Sequence, residues 1–120
     1  MSKIKVSALT DEALNDQVAL ALGWQQRLWG AVPVWFDPAN ENRYRCHVAQ
    51  WKPSTNPAQA YPIIEKFKIS TIIHSSVPGD KKWGAWSYSS PELPRIYGPT
   101  AIIAAMRCYV RSKFGEEVDE

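Results

Sequence analysis

The stretch Gly98–Gly115, GPTAIIAAMRCYVRSKFG, decides how this chain folds. Pro99 near its start and Gly115 past its end follow the usual asymmetry of helix termini. Between them Ile102, Ile103, Met106, Tyr109, Val110 and Phe114 recur at helical spacing and make a broad apolar stripe. No other segment has as many large apolar side chains in that pattern, so this helix is expected to be the main lid on a sheet. The residues upstream must supply the surface beneath it.

Ile69–His74 and Trp83–Ser89 are β-branched and aromatic runs separated by the turn signal Val77-Pro78-Gly79-Asp80, which predicts an antiparallel pair. Ser90–Leu93 reads as a loop. Farther upstream, Asn56-Pro57-Ala58-Gln59 places a capping Asn before Pro at the first helical position, with Gln three residues after the cap. A helix to about Phe67 follows, irregular or kinked at Pro62, whose missing N–H costs of order 3 kcal/mol. Thr10–Trp24 is the remaining helix. Thr10 is its cap, Asp11 and Glu12 lie at the positive end of its dipole, and Leu9 and Leu14 have staple spacing. Leu14, Val18, Ala21 and Leu22 form its apolar stripe, and Gly23 offers the stop.

Residues 25–50 are strand-like at Trp29, Val32, Val34, Trp35 and Phe36 but interrupted by Gly30 and Pro33, which reads as an edge strand or irregular hairpin. Residues 37–42 are turn chemistry. In Arg43–Trp51 the alternation sets Tyr44, Cys46 and Val48 on one side and Arg43, Arg45 and His47 on the other, a half-buried strand with a basic outer face. Three helices packed on a small, mainly antiparallel sheet of four or so strands define an α+β fold.

A chain of 120 residues, 45% hydrophobic and 22% charged, has room for one ordinary domain, residues 1–120, with residues 116–120 as an acidic tail. Such a chain buries roughly two-thirds of its unfolded surface and needs no cross-links. No apolar run approaches the roughly 20 residues of a membrane span, and MSKIKVSALTDE lacks a signal peptide's apolar stretch, so no membrane partner and a cytoplasmic location are expected. The net charge is +2, but Glu116, Glu117, Asp119 and Glu120 hold four of the twelve acids, leaving residues 1–115 at +6. A basic body is compatible with nucleic acid or an acidic protein partner, although ordinary proteins share it. Six Trp is the more unusual count, and some should lie at a surface or groove.

Four blocks carry a family resemblance: Leu9–Trp24 (LTDEALNDQVALALGW), Trp51–Ser70 (WKPSTNPAQAYPIIEKFKIS), the pair Trp83/Trp86, and Gly98–Val118 (GPTAIIAAMRCYVRSKFGEEV). They resemble the NinX-like proteins of tailed phages and prophages, which are similar in turn to phage domains described as an α-β-α sandwich. The resemblance covers about half the chain, and its closing block is the most specific. It departs at residues 25–50 and 87–97. It implies a small phage-borne protein with an α-β-α sandwich-like fold, and it supplies no catalytic residues.

Reactive groups are few. His47 and His74 are the only histidines, no Cys or His cluster has zinc spacing, and Walker, Rossmann and nucleophile-elbow motifs are missing. Cys46 and His47 are adjacent on a strand and point to opposite faces, so they make no nucleophile–base pair. Cys46 and Cys108 read as plain buried thiols, kept reduced in a cytosol. No catalytic residue, metal or cofactor is therefore expected.

Binding groups are better supplied. Arg43, Arg45, His47, Trp51 and Lys52 on one strand, with Lys81, Lys82, Trp83, Trp86 and Tyr88 on another, could grip single-stranded nucleic acid by phosphate neutralisation and base stacking. Trp83 and Trp86 are three positions apart and face opposite ways, so at most one joins that set; the plainer account puts one of them in the core. Arg107 and Arg111, four residues apart, suit an acidic partner or a solvated helix face. Trp51-Lys52-Pro53-Ser54 could border a ligand at a helix N-terminus, or Trp51 could simply pack over the capped turn.

These residues point to a phage or prophage accessory protein without chemistry of its own, monomer or homodimer, docking on a host or phage protein through exposed Trp and Arg. Interference with host defence or replication would suit that role. The alternative is a single-stranded nucleic-acid-binding module.

Overall fold

The structure, a computed structural model, describes residues 2–74 and 79–119. Its elements run β1 (Lys3–Lys5), α1 (Asp11–Ala21), β2 (Gln25–Trp29), β3 (Val32–Asp37), β4 (Arg43–His47), α2 (Pro57–Lys66), β5 (Ile69–Ile73), β6 (Trp83–Ser87), β7 (Ile96–Gly98), α3 (Ala101–Phe114) and β8 (Glu117–Asp119). The class is α+β, as the sequence implies. The strands form three small antiparallel sheets, in the orders β1-β8, β2-β3-β4 and β5-β6-β7, where one sheet was expected.

Helix α3 is the lid that its apolar stripe requires. It packs on β5, β6 and β7, and α1 and α2 pack on it in turn. Ala104, Ala105, Met106, Cys108, Tyr109 and Val110 are buried against Leu14 and Val18 of α1, Ile63 of α2, and Ile69, Ala85 and Ile96 of the sheet. The helix starts at Ala101, later than the sequence suggests, because Gly98 ends β7. Thr100 is the cap, its Oγ1 accepting from the N–H of Ile103 at 3.1 Å. A Cβ on Gly98 would stand 2.8 Å from the backbone nitrogen of Ala104, so only glycine lets β7 pass under the first turn of α3.

Two other caps differ from expectation. Thr10 has extended N-cap dihedrals, but its hydroxyl makes no capping bond. Asn56 Oδ1 accepts from Ala58 N–H at 2.9 Å as a cap should, yet Gln59 does not complete a capping box. Its Oε1 instead accepts from Lys52 N–H at 2.6 Å and its Nε2 donates to the Gln50 carbonyl at 2.9 Å, tying the preceding loop to α2. Helix α2 runs through Pro62. Of the Val77–Asp80 turn, Val77 and Pro78 lie outside the described residues; Gly79 and Asp80 belong to a short 3-10 turn.

The acidic C-terminal residues are built into the fold. Glu117–Asp119 is a strand paired with Lys3–Lys5, so each lysine faces an acid, Lys3 opposite Asp119 and Lys5 opposite Glu117, while Val118 turns into the core opposite Ile4. Opposite charges across the ladder and one buried valine hold the two ends together.

Candidate functional site

The β2–β3–β4 sheet gathers several exposed apolar and aromatic side chains at one end. Gly30 and Ala31 join β2 to β3, Gly30 in the left-handed region (φ 65°); beside the turn Leu28 faces the side of the sheet opposite to that of Trp29, which stands across from Val32. These are exposed by 73%, 61% and 42% respectively, and Tyr44 by 39%. Rings converge on one face: Tyr44 lies 5.3 Å from Trp29, 6.0 Å from Phe36 and 6.2 Å from His47, all edge-on. The Arg27 guanidinium sits over Phe36 at 5.3 Å and donates to Asn42 Oδ1 at 3.0 Å.

A bulge creates this face. Phe36 is opposite Tyr44 and Trp35 is opposite Cys46, which leaves Arg45 as an extra residue on β4. The period-2 alternation read from Arg43–Trp51 therefore breaks at Arg45. Tyr44 and His47 share the outer face, while Cys46 follows Trp35 toward the core. The expected basic face of Arg43, Arg45 and His47 does not form: Arg43, opposite Asp37, is on the Trp35 side and His47 on the Tyr44 side, while Arg45 Nη2 pairs with Asp37 Oδ2 at 2.8 Å and its guanidinium covers Trp24 at 5.5 Å. The strand stops at His47, and residues 48–50 form a 3-10 turn. Arg43 is exposed and makes no ion pair with the described residues.

The remaining expected site residues are scattered. Trp51 is buried, packs on Trp24 with ring centroids 4.6 Å apart and donates its indole N–H to the Asn15 carbonyl at 2.9 Å. Asn15 Oδ1 accepts from Ser54 N–H, so the Trp51–Ser54 loop is bolted to α1. A cavity of about 400 Å³ adjoins it, but Asp11, Glu12 and Asp16 line it with Lys52, which does not suit the anion expected at the α2 N-terminus. Desolvation, then the charge of Glu12, raises the Asp16 carboxyl above its ordinary value. Trp83 belongs to the α3 side of its sheet, with Ala85 and Ile96, and Trp86 to the opposite side.

Arg107 and Arg111 are not on a solvated helix face; they are 1% and 6% exposed. Arg107 donates through Nε to the Leu9 carbonyl at 2.9 Å, and through Nη1 to the Tyr97 carbonyl at 2.7 Å and to both oxygens of Asp80 at 3.2 Å. Arg111 donates to the Pro94 carbonyl. Both are drawn inward because the chain around α3 leaves carbonyls that need donors at that depth.

Burial raises both thiols, with Arg45 pulling Cys46, and Arg111 pulling Cys108, part of the way back. Among the described residues no group of three or more His, Cys, Asp or Glu gathers in a way that could hold a metal ion, and no helix is long and apolar enough to cross a membrane.

The sequence reading missed Arg27, Leu28, Trp29 and Tyr44 as site residues. The available signal was Leu28-Trp29-Gly30-Ala31-Val32, a hairpin turn with no polar side chain in it. Comparison with known families gives a match over residues 5–113 to the model described as Bacteriophage P22, NinX. The matched span includes residues 25–50 and 87–97, where the resemblance seen in the sequence departs. Comparison with curated proteins finds no match.

Proposed function

The chain belongs to the phage family described as Bacteriophage P22, NinX, and we propose that this phage accessory protein acts by binding, without turnover chemistry, on a host or phage protein met in the host cytoplasm. The observation that carries this is the exposure of Trp29, Val32 and Tyr44 on one face of the β2–β4 sheet, with Leu28 exposed on the opposite face of the same hairpin end. Burying one such side chain contributes roughly 1.5–3 kcal/mol, so a sheet that leaves these partly in water holds binding energy in reserve. Trp, Tyr and Arg are also the residues that dominate binding hot spots. Arg27, two residues before Trp29 on the same face, borders the apolar cluster, so the complementary surface is an apolar socket carrying a carboxylate at its edge. A protein of host defence or replication presenting such a socket suits the role.

The test is capture of partners from host lysate by wild type and by the Leu28→Ser/Trp29→Ala variant. One protein recovered in stoichiometric amount by the wild type and lost by the variant, with an unchanged circular dichroism spectrum, supports the reading. Equal recovery by both, or none by the wild type, sinks it. Sedimentation of the purified protein separates off self-association: a dimer that dissociates in the variant would make a second copy the occupant of the tip.

A further inference from the structure

The outer face of the β5–β6–β7 sheet carries a second set of aromatic and basic groups, separate from the hairpin tip. All three helices lie to the other side, α3 on the sheet and α1 and α2 on α3. Strand alternation leaves Ile72, Gly84, Trp86 and Tyr97 facing outward, with Ile72 directly opposite Gly84 and Gly84 opposite Tyr97. Arg95 reaches over the same face and lays its guanidinium on the Trp86 ring at 4.9 Å. His74 and Tyr97 pair across the strands with ring centroids 5.8 Å apart.

Gly84 is the floor between the two pairs. A Cβ there would stand 3.3 Å from His74 Nε2, 3.3 Å from Tyr97 Cε1 and 3.4 Å from Arg95 Cδ, so any larger residue would push the rings apart. Two groups lack a partner among the described residues. His74 Nε2 is buried without a hydrogen-bond partner, and Arg95 has no carboxylate within ion-pair distance among the described residues. A guanidinium over an indole ring still has N–H groups to offer an oxygen. No acidic residue stands among the outward-facing strand positions, while Lys81 and Lys82 lie at the sheet's end, where the His74 N–H donates to the Lys82 carbonyl at 2.6 Å.

We propose that this face is a binding platform for single-stranded nucleic acid, with Trp86 and Tyr97 stacking bases and Arg95, Lys81 and Lys82 meeting phosphates. The charge complementarity is one-sided, as a polyanion requires. Three strands about 4.8 Å apart, with residues about 3.3 Å apart along them, give room for two or three bases, the number that sheet-borne aromatics stack elsewhere. A duplex offers no open base faces to such a platform. The grouping differs from the set read from the sequence: Arg43 and His47 belong to the other sheet, Trp51 is buried, and Arg95 and Tyr97 take their place.

Fluorescence anisotropy with a labelled twelve-nucleotide oligo-dT and oligo-U tests this, titrated at rising salt, with the matching duplex as a control. Single strands should bind more tightly than duplex, and the affinity should fall with salt with a log–log slope of about −1.5 to −2 for two or three phosphates. Trp86→Ala should weaken binding about ten- to hundredfold. Arg95→Ala should weaken it and reduce the slope by about one phosphate. Lys81→Ala/Lys82→Ala, on an exposed turn away from the core, keeps the test decisive if the Trp86 variant fails to fold, and should also flatten the slope. No binding at low salt, duplex binding equal to single-strand binding, or indifference to the Arg95 and lysine variants would overturn the proposal. Loss of oligonucleotide binding in Leu28→Ser/Trp29→Ala would overturn it as well, since that variant tests protein docking at the other sheet and leaves this face intact.

Discussion

Arg107 shows how one residue changes meaning once its surroundings are known. Its guanidinium joins Leu9 before α1, Tyr97 of β7 and Asp80 of the 3-10 turn, three segments far apart in sequence. Removing it strands buried carbonyls, so Arg107→Ala should cost about 3–5 kcal/mol in urea unfolding. Asp80→Asn should cost about 1 kcal/mol or less, because the Asp80 side chain is 59% exposed and solvent screens the pair. Tyr109 gives a prediction in pH. Burial pushes its hydroxyl from the ordinary 10.0 up to about 12, and that hydroxyl donates to the Ala21 carbonyl at 3.1 Å. The native state keeps a proton that the unfolded chain releases above about pH 10, so stability falls as pH rises from there to about 12. Tyr109→Phe should be about 1 kcal/mol less stable at neutral pH. That deficit should shrink in unfolding measured between pH 10 and 12, and a constant gap would rule the ionisation out.

At the scale of elements, the helices were the legible part of the sequence. Each is announced within its own segment by apolar spacing, a cap position and a terminal glycine or proline, and each lies inside the segment those signals mark, with ends that differ by a few residues. Three strands were not legible. β7 is three residues long, and the Pro99 that follows Gly98 drew the helix start too far upstream. β1 and β8 are also three residues each, and they pair across nearly the whole chain. Their complementary charges, KIK against EVD, carry a signal only when both ends are considered together. Val118 anchors this pair at 5% exposure. Val118→Ala should lower stability by about 1.5–2 kcal/mol from lost burial alone, read by chemical denaturation. An unchanged midpoint would mean the terminal sheet contributes nothing. The bulge at Arg45 is the other element-scale surprise. One inserted residue exchanges the faces of the strand beyond it, and that exchange decides that Tyr44 and His47 join Trp29 while Cys46 turns inward.

Across the whole molecule, the chain is elongated, 48 × 27 × 26 Å, with the apolar core gathered around α3. The exposed hairpin residues Leu28 and Trp29 lie outside that core. Leu28→Ser/Trp29→Ala should therefore shift global stability by no more than about 0.5 kcal/mol, the range of surface substitutions. A large loss in thermal unfolding would show that the tip serves the fold and would remove the main support for docking. The two outward faces also divide what the sequence had combined. Basic and aromatic residues that read as one set are divided between different parts of the fold, and Arg107 and Arg111, a separate pair on the last helix, are interior.

The sequence by itself determined the α+β class, the three helices, the central role of Gly98–Gly115 and the family, because helical periodicity and turn chemistry are local and survive without knowledge of partners. Only the tertiary structure decided how the strands divide into three sheets, which face of each meets water and which charges are buried. Those outcomes depend on register and on contacts between residues as distant as Lys3 and Asp119 or Leu9 and Arg107, where a one-residue bulge or an unsatisfied carbonyl outweighs any preference written into a single segment.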